Sequence, residues 1–98
     1  MRLLRELYIK EDIWTVKFVR HIQPTDRDGK QTIGLTCPAD NIIYIKTGLK
    51  PKERWETYIH EVLHAIEFSW GFRIPHKLIY RLEKPLVMLL IENFIGPP

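Results

Sequence analysis

At 98 residues the chain fits one domain, residues 1–98, with a single modest core that a bound metal would help to stabilise. Apolar residues make up 45% and charged residues 28%, the balance of a soluble globule, which excludes a disordered or low-complexity chain. The net charge of +3 is spread along the whole length, so no block of lysine and arginine marks a nucleic-acid arm or a membrane patch.

The first half reads as strands. Residues 3–9 are ambiguous, because Leu3, Leu4, Leu7 and Tyr8 suit a helical face almost as well as a strand. From Trp14 to Ile22, Trp14, Val16 and Phe18 alternate with more polar residues, and β-branched and aromatic types dominate, which predicts a strand. Pro24 to Gln31 holds Asp26, Asp28 and Gly29 and predicts a loop or hairpin turn. Thr32–Thr36 is a short strand, Cys37–Asn41 a turn, and Ile42–Lys46 another strand before Gly48 and Pro51 close the β region.

The period then changes. Trp55, Ile59, Val62, Leu63 and Ile66 recur at helical spacing between Lys52 and Trp70, with Pro51 where a helix begins and Gly71 where one ends. A second helix is predicted from about Pro75, carrying Leu78, Ile79, Leu82, Leu86, Leu89, Leu90 and Phe94. Pro85 removes a backbone hydrogen bond within it, at a cost of about 3 kcal/mol in a regular helix, and predicts a kink or two short helices joined at Glu83 to Pro85. The expected fold is α+β: a three- or four-stranded N-terminal sheet packed against two helices. Cys37 stands alone, which excludes a disulfide framework and a cysteine zinc ribbon and suits a reducing, cytoplasmic compartment. Met1 to Glu6 leads into no apolar stretch of a signal peptide, and the run Leu86 to Ile91 is too short to span a bilayer.

The chemistry concentrates in His60-Glu61-Val62-Leu63-His64. Two histidines four residues apart on a helix present both imidazoles on one face, within reach of one zinc ion. Glu61, on the flank of that face, is placed to act as general base toward a water at such an ion. A catalytic zinc takes a third protein ligand. Glu83, separated from His64 by 18 residues, is the favoured one, because it shares a face with Ile79, Leu86 and Leu90 and a carboxylate buried there needs a cation. Two alternatives stay open. Glu67 is roughly in line with both histidines, although an orienting role toward an imidazole suits it better. His76 could ligate instead, or His76 or Tyr80 could donate a hydrogen bond to a developing oxyanion. The metzincin pattern is excluded, since Glu67 occupies its glycine position and Trp70 its third-histidine position.

The segment His60 to Glu67, the following Trp70-Gly71-Phe72-Arg73-Ile74 and the final apolar helix ending Glu92-Asn93 resemble small zincin-like proteins of phage and prophage, related to the ImmA/IrrE-type and SprT-like metallopeptidases. The spacing to Glu83 is also similar to that of gluzincins. The resemblance implies Zn²⁺ held by His60, His64 and Glu83, with Glu61 taking a proton from the attacking water and Tyr80 or His76 assisting at the carbonyl oxygen. It implies a protein or peptide substrate lying extended along Ile42–Lys46 as an added strand. The competing expectation is a zinc-containing protein-binding module, weak or inactive as a catalyst, which the small size favours and the retained Glu61 disfavours.

Overall fold

The computed structural model describes residues 3–22 and 32–95. Four strands form one mixed sheet: β1 (Glu6–Ile9), β2 (Asp12–Val19), β3 (Gly34–Cys37) and β4 (Ile42–Lys46), in the spatial order β1-β2-β4-β3. β1 and β2 are antiparallel, β2 and β4 parallel, and β3 and β4 antiparallel. Residues 3–9 thus resolve into a strand at their C-terminal end. The predicted loop Pro24 to Gln31 lies outside the described residues.

Alternation fixes which face of the sheet is covered. Val16 of β2 pairs through the register with Ile43 of β4, and Phe18 with Ile45; on this face Trp14, Val16, Ile43 and Ile45 are all buried. Two helices pack on this side. α1 (Pro51–Trp70) starts on Pro51, whose missing N–H is one the first turn leaves unpaired in any case. It stops at Gly71, which takes φ 73° and donates its N–H to the Glu67 carbonyl, a left-handed cap that glycine adopts without a Cβ penalty. Its inward face is Trp55, Tyr58, Ile59, Leu63 and Ala65. Trp14 ties the sheet to the far end of α1 by donating its indole N–H to Ser69 Oγ at 2.8 Å.

α2 (His76–Leu90) buries Ile79 and Val87 in the same core, with Leu82, Leu86 and Leu90 partly covered. It is one helix through Pro85, followed by a π-helical turn at Ile91–Ile95, and not two short helices joined at Glu83 to Pro85. Arg81 and Pro85 both lie on the exposed side, where water can serve the carbonyl that the proline ring leaves without its donor. Leu78 and Leu89, among the apolar residues that α2 carries, are half-exposed, and the Phe94 side chain lies outside the described residues. Among the described residues no helix is long and apolar enough to cross a membrane.

Candidate metal centre

α1 and α2 face each other across a cleft of about 680 Å³ whose third wall is β3. His60, Glu61, His64, His76, Tyr80 and Glu83 all line it, while Glu67, the other candidate, lies behind His64.

The helical spacing brings the His60 and His64 rings to 4.9 Å between centroids, with their Nε2 atoms 3.3 Å apart. Two facing ring nitrogens at that distance need a shared proton or a cation between them. The opposite nitrogen of each ring is held by a carboxylate. Glu83 Oε1 lies 3.0 Å from His60 Nδ1, and Glu67 Oε1 lies 2.6 Å from His64 Nδ1. His76, the first residue of α2, completes the cluster: one ring nitrogen from each of His60, His64 and His76 lies within 4.8 Å of the others. Its ring stacks near His60 at 5.9 Å and meets His64 edge-on at 5.0 Å.

The surroundings tune these groups in opposite directions. Burial, helped by the neighbouring His64 and His76, pushes His60 down to about 4, which keeps its imidazole neutral and able to ligate. Burial together with Glu56 and Glu61 pushes Glu83 up to about 7. The His60–Glu83 contact is accordingly a hydrogen bond rather than an ion pair. For Glu67, burial acts upward, but the Ile74 N–H, donated to Oε2 at 2.6 Å, and His64 outweigh it and hold the carboxyl below its usual range. Glu67 is therefore an acceptor, and it fixes the His64 proton on Nδ1, leaving Nε2 bare toward His60.

The chain matches no protein-family model, no curated protein and no solved structure. What the site can do is read from its own geometry.

Glu61 lies against β3, beside Thr36 and Gly34. It is 7% exposed, and Thr36 Oγ1 lies 2.7 Å from its Oε1. Burial pushes this carboxyl up to about 7, against the opposing pull of the Thr36 hydrogen bond and of His76. Tyr80 stands at the mouth, its ring 5.1 Å from that of His60, and is largely exposed.

Two findings differ from expectation. The strand Ile42–Lys46 is not an edge: β4 is paired with β2 on one side and β3 on the other, so no substrate strand can add to it. Alternating apolar residues do not reveal which strand ends up outermost. Among the described residues the outermost strand beside the cleft is β3, and Thr32 to Thr36 line the cleft. Thr36 carries no mark in the sequence beyond its place in a short strand. The one available signal was Gly34, since a glycine inside a short strand marks close backbone approach.

Proposed function

We propose that this chain is a zinc-dependent peptidase of zincin-like type, with His60, His64 and His76 as the metal ligands. One observation carries the reading: the Nε2 atoms of His60 and His64 face each other at 3.3 Å. Two nitrogens held about 2.0–2.1 Å from a tetrahedral zinc ion take about that separation. A carboxylate behind each of these two imidazoles is the arrangement that orients metal-binding histidines and raises their basicity. Glu83 and Glu67 have those supporting places, and His76 has the third-ligand place first expected of Glu83, because Glu83 meets His60 at Nδ1, the nitrogen away from His64.

Zinc held there supplies Lewis acidity at a substrate carbonyl and brings the pKa of a water to about 7. The chain's own residues do the rest. Glu61, buried and raised to about 7, takes the proton of the attacking water and gives it to the departing amine as the C–N bond breaks, so one carboxyl is base and then acid. Tyr80 offers its hydroxyl to the carbonyl oxygen from the rim. The substrate is an extended peptide whose backbone pairs with β3, the outermost of the described strands and the cleft's third wall.

Elemental analysis of the purified protein, followed by digestion of labelled casein by the parent and by Glu61→Gln, tests the proposal. About one zinc per chain in both proteins, with hydrolysis by the parent alone, is expected. Hydrolysis that survives Glu61→Gln, or a chain that takes up no zinc, overturns it.

A further inference from the structure

We infer that Thr36 is the positioning residue for Glu61, and that Gly34 is the vacancy on the same strand that lets it act. This rests on the peptidase reading above and deepens it, because it assigns β3 a part in placing the proton carrier as well as in bordering the cleft. The contact is direct: Thr36 Oγ1 lies 2.7 Å from Glu61 Oε1 and 3.1 Å from the Glu61 backbone carbonyl. A hydroxyl carries one donor and two acceptor sites. Toward an ionised Glu61, Thr36 donates to Oε1. When the other oxygen, Oε2, carries the proton taken from the water, Oε1 stays an acceptor and Thr36 goes on donating to it. The same two atoms therefore stay paired before and after the carboxyl takes a proton, and Glu61 need not swing to find a new partner between steps.

Gly34 makes that contact possible. Gly34 and Thr36 are two residues apart on β3 and so present the same face to α1. A Cβ at position 34 would stand 2.7 Å from Thr57 Cγ2, 2.9 Å from Glu61 Oε2 and 3.0 Å from Glu61 Cγ. Any side chain there displaces the carboxylate or lifts the strand from the helix. Glu61 is thus confined between a hydroxyl on one oxygen and a bare Cα beside the other, and a buried carboxyl held on two sides keeps one orientation.

The test uses the full chain loaded with zinc, with Thr36→Val, Thr36→Ser and Gly34→Ala compared with the parent on quenched-fluorescent casein. Thr36→Val keeps the shape and removes the hydroxyl. Its kcat is expected to fall about 10- to 100-fold with KM within about twofold, while Thr36→Ser recovers most of the rate. Gly34→Ala loses a comparable part of kcat, and all three variants keep their zinc. A readout independent of turnover comes from the metal-free proteins. The unfolding midpoints of Thr36→Val, Glu61→Gln and the double variant are expected to be non-additive, because the two residues share one contact. Additive midpoints, or an unchanged kcat in Thr36→Val while Glu61→Gln is inactive, overturn the inference alone. A parent that binds zinc and hydrolyses nothing overturns the peptidase reading, and the positioning role with it.

Discussion

Glu67 joins His64 to the segment that leads into α2: one carboxylate oxygen lies 2.6 Å from His64 Nδ1, and the other accepts the Ile74 N–H at 2.6 Å. Since Ile74 stands two residues before His76, one side chain sets the tautomer of one histidine and the approach of another. Glu67→Ala is expected to weaken zinc binding about 10- to 100-fold, the usual consequence of removing a carboxylate that supports a metal-binding histidine. Glu67→Gln keeps an acceptor and should lose less. Competition with a chromogenic chelator measures both. Affinity equal to the parent's in Glu67→Ala would mean that His64 needs no such partner.

His76 and Glu83 give opposite outcomes on α2. His76→Ala removes a proposed ligand and should reduce zinc content well below one per chain after dialysis. Glu83→Ala should keep the full stoichiometry and lose only affinity, about 10- to 100-fold, because Glu83 contacts the far nitrogen of His60. The reverse pattern, zinc kept without His76 and lost without Glu83, would return the third-ligand place to Glu83. Both variants change the cleft surface and leave Ile79, the fully buried anchor between them, in place.

The contrast between these two residues marks how far the sequence reaches. Helical periodicity places His60 with His64, and Glu83 with Ile79, because a 3.6-residue repeat assigns faces. It does not say which ring nitrogen a carboxylate will meet, since that depends on the distance and tilt between two helices. The strands follow the same rule: β2 is legible from alternation and β4 from its run of β-branched and aromatic residues, whereas the order that makes β3 the edge comes from the parallel pairing of β2 with β4. Thr36 is harder still, because its role exists only where β3 lies against α1.

Tyr58 gives the fold an alkaline limit. Its ring is buried against Trp55, its hydroxyl donates to the Leu4 carbonyl at 2.9 Å, and burial pushes its pKa from 10.0 to about 12. The folded form therefore holds this proton more tightly than the unfolded chain. The stability so gained is complete below pH 10 and is lost as the pH rises toward about 12. Urea midpoints between pH 8 and pH 12 should fall in the parent over the upper part of that range. In Tyr58→Phe they should start lower, by about 1 kcal/mol for the missing hydrogen bond, and vary less with pH. An equal alkaline decline in both proteins would assign it to other groups.

Ile79 links the core to the proposed metal centre. It is fully buried, three residues after His76 and four before Glu83, so it anchors in the core the stretch of α2 that presents both residues to the cleft. Ile79→Ala is expected to destabilise the metal-free protein by about 2–5 kcal/mol, through lost burial and the cavity left behind. Leu78→Ala, on the half-exposed neighbour, should cost far less. Zinc adds a second measurement. At a free concentration of about 100 times its Kd, an ion bound only by the folded state stabilises the parent by about 2.7 kcal/mol. At the same concentration Ile79→Ala should gain less, because an α2 that sits more loosely holds His76 and Glu83 less firmly against His60 and His64. Urea denaturation with and without zinc separates the two effects. If zinc restores Ile79→Ala by as much as it stabilises the parent, the helix anchor and the metal ligands are energetically independent.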